Sequence, residues 1–128
     1  VHRAVIARTV VSTPGWEYFG VILMEYPIRT EGSYTVVALS GEVDLRYSPH
    51  VRKQILSYLE ENHPLLIDLT GVEYIDSSGV ASLVEGFQLA RKKGLEFGLL
   101  GVSSSVMQLF RLARLDKIFP IYESAIGR

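Results

Sequence analysis

The sequence predicts an α/β domain on a central mixed, mostly parallel β-sheet with helices packed on it. Three observations carry that expectation. Short apolar runs at 34–39, 65–69 and 95–100 alternate with stretches whose apolar residues recur at helical spacing. The helical stretches open on small polar residues, and glycine or proline closes the first two. Strand, helix, strand, helix, strand at these lengths implies βαβ crossovers, which make neighbouring strands parallel.

Residues 24–29 (M-E-Y-P-I-R) read as a first strand. Pro27 cannot donate to a ladder, so this strand belongs at an edge. Glu31-Gly32-Ser33 is turn chemistry, and 34–39 (Y-T-V-V-A-L) has the near-continuous apolar character of a strand covered on both faces. Ser48-Pro49 predicts a helix start: serine caps, and proline in the first turn loses only an amide that would be unpaired. Val51, Ile55, Tyr58 and Leu59 are its inward stripe, and Asn62-His63-Pro64 ends it. The run 65–69 follows as a short buried strand closed by Thr70-Gly71.

The next helix spans about 78–93, with Val80, Leu83, Val84, Phe87 and Ala90 on its buried face. Arg91-Lys92-Lys93 lies at its dipole-negative end and Gly94 supplies a left-handed C-cap, so the basic trio is a helix ending and not a nucleic-acid patch. The third parallel strand is 95–100. Residues 103–105 cap a third helix whose Val106, Leu109, Phe110 and Ala113 are expected to face the core. Residues 118–122 close as a short edge strand.

A chain of 128 residues is about one domain long and can bury one core. Its 48% apolar and 21% charged content is that of a globular protein. The formal net charge of −1 exerts no global pull on nucleic acid or anionic membrane. No apolar run approaches the roughly 18 residues of a membrane span, so insertion is not expected. The absence of cysteine excludes disulfides and thiolate metal sites and fits a cytoplasmic protein. His2, His50 and His63 are scattered without ligand spacing, so neither metal nor cofactor is expected. Residues 1–23 hold Arg3 and Arg8 against Glu17 alone and share no core pattern with the rest. They read as an upstream extension whose removal should change stability little, and the domain is expected over 24–126.

In parallel sheets the functional loops lie beyond the carboxyl ends of the strands. Residues 41–44 (G-E-V-D), 73–79 and 101–104 are expected at that edge. No P-loop, dinucleotide turn or nucleophile elbow occurs among them, and Ser77 has no histidine close in sequence to act as its base. No catalytic residue is therefore assigned. Asp76-Ser77-Ser78-Gly79 stands out instead, where an apolar strand turns into a helix. One of its polar residues is expected to cap the helix. Three short polar residues ending in glycine also suit a modified serine, because free amides and the helix dipole tolerate a phosphate.

The stretch L-I-D-L-T-G-V-E-Y-I-D-S-S-G-V-A (66–81), preceded by L-S-G-E-V-D (39–44) and followed by G-V-S-S-S-V-M-Q-L-F-R-L-A-R-L (101–115), resembles the STAS domain family. Within that family it is most similar to the bacterial anti-sigma factor antagonists. The resemblance covers about residues 24–126 and implies a STAS-type fold in a binding module, not an enzyme. It implies that the chain binds a kinase-type anti-sigma factor of the GHKL class and so releases a sigma factor for transcription. It further implies that the kinase phosphorylates the serine directly after the aspartate, here Ser77, and that a PP2C-type phosphatase reverses this. Ser78 matches the family's second hydroxyl position and is the second candidate. Asp44 matches an acidic position beside the phosphorylation site. Asp44, Asp76, Ser77, Ser78 and Gly79 are the expected partner-binding residues. Val80-Ala81 stands where Leu-Gly is commoner. Small STAS subunits that dock on the ATPase of phospholipid-transporting ABC systems carry similar loops, which gives a second functional expectation.

Overall fold

The computed structural model describes residues 25–123. The proposed extension at 1–23 and the position of Met24 lie outside the described residues. The strands are β1 (Ile28–Glu31), β2 (Tyr34–Val43), β3 (Leu65–Ile75), β4 (Phe97–Leu100) and β5 (Ile121–Tyr122). The helices are α1 (Ser48–Glu60), α2 (Ser77–Lys93) and α3 (Ser104–Leu112). The sheet runs in the order β1-β2-β3-β4-β5. Only the β1–β2 pair is antiparallel; β2–β3, β3–β4 and β4–β5 are parallel. The mixed, mostly parallel sheet and the βαβ order are those read from the sequence.

Alternation along the strands sorts side chains to the two faces. Val37, Leu39, Leu65, Ile67, Leu69, Phe97 and Leu99 join the helices in one large core. Tyr34, Val36, Leu66 and Leu100 form a smaller cluster on the other face. Both faces are apolar, which is why these strands read as continuous rather than alternating runs.

Several element boundaries differ from the sequence reading, each for an identifiable reason. β1 starts at Ile28 because Gln54 of α1 takes both the amide and the carbonyl of Tyr26, at 2.8 and 2.7 Å. It extends through Glu31, leaving Gly32 at φ 61° to make the turn. β1 lies at the sheet edge, the position expected from the sequence, although Pro27 itself precedes the strand. β3 does not stop at Thr70-Gly71 but continues to Ile75. Ala38 pairs with Asp68 and Ser40 with Gly71, so β3 carries an extra residue there, and a second between Val72 and Tyr74. The Thr-Gly turn signal marks a β-bulge inside a strand, not its end. β2 likewise runs on through Gly41-Glu42-Val43.

Ser48 does not cap α1. Tyr47 occupies the cap position without a side-chain bond, because the amides of His50 and Val51, which a Ser48 hydroxyl would cap, already donate to the Tyr47 carbonyl at 3.0 and 3.1 Å. On α2, Leu83 and Ala90 are buried while Val80, Val84 and Phe87 are half-buried. Gly79, Ser82 and Gly86 take the closest positions instead. A Cβ on Gly86 would lie 2.7 Å from the Ile55 Cγ2, so α2 approaches α1 through small residues and its larger ones lean outward. α2 ends as expected on Gly94, at φ 72°.

On α3 only Val106 and Phe110 are buried; Leu109 and Ala113 are exposed. These two share the helical phase of Val106 and Phe110, but on their side α3 faces the open groove toward α2 and not a packed neighbour, which leaves them outside. At the chain's last described strand only Ile121 and Tyr122 pair with β4, while Phe119 turns inward against Phe110, with ring centroids 5.7 Å apart.

Candidate functional site

The site is built on the carboxyl ends of two adjacent parallel strands. Val43 of β2 and Ile75 of β3 are register partners, and the Asp76 amide donates to the Val43 carbonyl at 3.2 Å. Asp44 and Asp76 are therefore the next residues at one level of the same sheet edge.

Asp76 is the cap of α2. One of its carboxylate oxygens accepts from the amides of Ser78 and Gly79, at 2.9 and 3.1 Å, and from the Ser78 hydroxyl at 2.6 Å. These bonds, the Ser78 hydroxyl first, hold the Asp76 carboxyl below the usual carboxylate range despite opposing burial. The cap answers one question about the two serines. Ser78 is half-buried and its hydroxyl is committed to Asp76. Ser77, in the first helical position, is exposed, and its hydroxyl makes no hydrogen bond among the described residues.

Gly79 is buried and serves packing. A Cβ there would stand 2.5 Å from the Val43 carbonyl oxygen and 2.7 Å from Ile75 Cγ1. Glycine is what lets the first turn of α2 seat directly on the ends of β2 and β3. Of the expected contact residues, Gly79 is thus beneath the surface, while Ser77 is on it.

Asp44 reaches the same edge, but its carboxylate is turned to Arg46. The guanidinium lies 2.7 Å from Asp44 Oδ2 and 2.6 Å from Glu42 Oε1, and the Arg46 amide donates to Asp44 Oδ1 at 3.0 Å. Arg46 holds the Asp44 carboxyl below its ordinary range. No hydrogen bond joins Asp44 to Ser77 among the described residues. Arg46 was missed from sequence, although the spacing of Glu42, Asp44 and Arg46 is a charge pattern that could have found it. Leu45, between them, is 73% exposed.

Residues 101–104, the third segment at this edge, start α3 rather than joining the serine cluster. Ser103 caps α3 by accepting from the Val106 amide at 3.3 Å. Between α2 and α3 lies a groove of about 1080 Å³, with Ser77 on its lining together with Tyr74, Val80, Val84, Leu109 and Ala113. Sequence reasoning missed it by assigning Leu109 and Ala113 to the core.

The STAS domain family model matches residues 25–125. The chain is 34% identical over 86 residues to the anti-sigma-B factor antagonist of Listeria monocytogenes, covering 66% of this chain and 75% of that protein. It is 30% identical over 94 residues to the anti-sigma F factor antagonist of Paenibacillus polymyxa, covering 72% and 80%. Among solved structures, an anti-sigma factor antagonist from Mycobacterium paratuberculosis superposes with a TM-score of 0.65 at 27% identity, over 77% of this chain and 84% of that one. The matched region takes in the whole sheet, the capped serine pair and the groove, and the chain belongs to the STAS domain family.

Proposed function

We propose that the protein is an anti-sigma factor antagonist, a binding regulator whose contact with a kinase-type anti-sigma factor is switched at Ser77. The observation that carries this reading is the unequal state of the two serines. Ser77 offers an exposed hydroxyl with no hydrogen bond among the described residues, at the start of α2, whereas Ser78 has spent its hydroxyl on the cap. The names of the relatives support the antagonist role. Asp76 precedes Ser77 and Asp44 stands at the same level of the sheet edge; with Ser78 they complete the proposed contact, and Gly79 sets the height of the helix.

Phosphate at Ser77 adds about −1.5 to −2 charges at pH 7. Within a contact, such a group brings bulk and an uncompensated charge whose cost is several kcal/mol. Each about 1.4 kcal/mol is a tenfold loss of affinity, so the modification is a workable off state. A PP2C-type phosphatase would restore binding.

The test is phosphorylation by the partner kinase, with intact-mass and peptide readout. Ser77→Ala should bind the kinase but take up no phosphate. Ser77→Asp should bind at least about tenfold more weakly. Undiminished phosphorylation of Ser77→Ala would move the assignment to Ser78, and unchanged binding and phosphorylation in both variants would reduce Ser77 to a helix-start residue.

A further inference from the structure

The groove between α2 and α3 has a composition that the serine switch does not account for. Its apolar wall is open at two large residues: Tyr74 is 53% exposed and Leu109 36%. Its charged lining is of one sign, Glu73, Asp76 and Glu85, with no lysine or arginine among the lining residues. Glu85 is already paired with Arg52 of α1 at 2.7 Å. Glu73 and Asp76 are in no ion pair among the described residues, so the Ser77 end of the groove carries the uncompensated charge.

Length narrows the occupant. Along α2 the lining runs from Ser77 to Gln88, and along α3 from Ser105 to Ala113. At about 1.5 Å per residue these walls are roughly 16 and 12 Å long, which is two to three helical turns. Two helix walls of that length over an apolar floor match an amphipathic helix presenting anchors at i, i+3, i+4 and i+7.

We propose that this groove docks an amphipathic helix of a partner protein, apolar on one face and flanked by lysine or arginine at the end nearest Ser77. This surface adjoins the kinase contact, sharing Asp76 and Ser77 at one end and running away from them between α2 and α3, and its response to the switch has the opposite sign. A negative charge at Ser77, whose assignment as the modified serine rests on the function proposed above, adds to Glu73 and Asp76 and strengthens the attraction. The same event that ejects an anti-sigma factor then favours a basic helical partner.

The probe is a labelled synthetic leucine–lysine helix with leucines at i, i+3, i+4 and i+7, titrated with the full chain by fluorescence anisotropy. A leucine–glutamate helix of the same pattern is the control. The leucine–lysine helix should bind and weaken with added salt. Leu109→Lys and Ala113→Lys, both at exposed positions, should each weaken it at least about tenfold. Ser77→Asp should tighten it about two- to fivefold, the scale of one exposed charge pair. No binding, equal binding of the leucine–glutamate helix, or indifference to the two lysine variants would overturn the groove assignment. Binding that Ser77→Asp weakens would overturn the opposite-sign response while leaving the kinase switch standing. Loss of kinase phosphorylation at Ser77 with intact helix binding would sink the switch alone.

Discussion

The starts of α2 and α3 are built from similar sequence, D-S-S-G against S-S-S-V, and both follow parallel strands at the same sheet edge. They are physically unlike. At α2 a carboxylate gathers two amides and a hydroxyl at 2.6–3.1 Å. At α3 a hydroxyl takes one amide at 3.3 Å and shares contact with the Ser105 hydroxyl at 3.2 Å. The third helical position is Gly79 in one, clamped on the Val43 carbonyl, and Val106 in the other, with room for a side chain. A serine-rich turn therefore does not by itself make a presentation site. The aspartate and the glycine do, by fixing where the serine between them stands.

The largest effect should come from breaking the clamp. Gly79→Ala puts a Cβ against the Val43 carbonyl, which is backbone and cannot rotate away, and against the buried Ile75 side chain. Overpacking of this kind costs about 1–3 kcal/mol, and the rigid backbone neighbour places Gly79→Ala near the upper end. Urea unfolding should show it. The matched change at α3, Val106→Ala, removes atoms from a buried side chain and should cost less, about 1–2 kcal/mol. If Gly79→Ala is the milder of the two, α2 is not seated as tightly as the clamp requires.

Next in size is the cap itself. Asp76→Ala strips three bonds from α2 and should lower the urea midpoint more than Ser103→Ala, for which the single long bond suggests about 0.5 kcal/mol. Charge separates these two ends further. The Asp76 carboxyl titrates lower folded than unfolded, where it sits near about 3.9. Its contribution is present above that value and is lost as pH falls through the folded value. Asp76→Asn keeps a capping oxygen without the titration. The gap between wild type and Asp76→Asn should therefore shrink below about pH 4, while the gap for Ser103→Ala stays flat. Asp44 and Asp68 are also held low and remain in both proteins, so they cancel in the comparison.

How much of this was legible follows from what each signal measures. Periodicity reports which residues are apolar together, and it located the strands and the helices. It could not separate a turn from a bulge at Thr70-Gly71, since glycine serves both. Nor could it foresee that the Tyr47 carbonyl would take the amides a capping Ser48 needs, because that depends on the path of the incoming loop. Leu109 and Ala113 share the helical phase of a buried stripe, but burial needs a neighbour on that side, and phase says nothing of neighbours. At the site, the aspartate, serines and glycine were readable as a unit. Which serine is free was not, because that turns on one hydroxyl's choice of acceptor.

The smallest effect is the sharpest test of the comparison, because it asks whether the two helix starts differ in field as well as in geometry. Ser77 and Ser104 both occupy the first helical position. A negative charge there meets the positive end of the helix dipole, a gain of about 0.3–1 kcal/mol at an exposed end. At α3 no acid stands in the first turn, and the residues before and after are Ser103 and Ser105. Ser104→Asp should therefore raise the urea midpoint slightly. At α2 the preceding residue is Asp76, with Glu73 along the same strand end and Asp44 at the same sheet level. Repulsion from these carboxylates offsets the dipole, so Ser77→Asp should leave the midpoint within about 0.5 kcal/mol of wild type. Added salt should then act in opposite directions, eroding the gain in Ser104→Asp and relieving the repulsion in Ser77→Asp. Equal stabilisation of both variants would mean that Asp76 has spent its charge on the cap and exerts no field at Ser77. The off state would then have to arise from the bulk of the phosphate within the contact, and not from its charge.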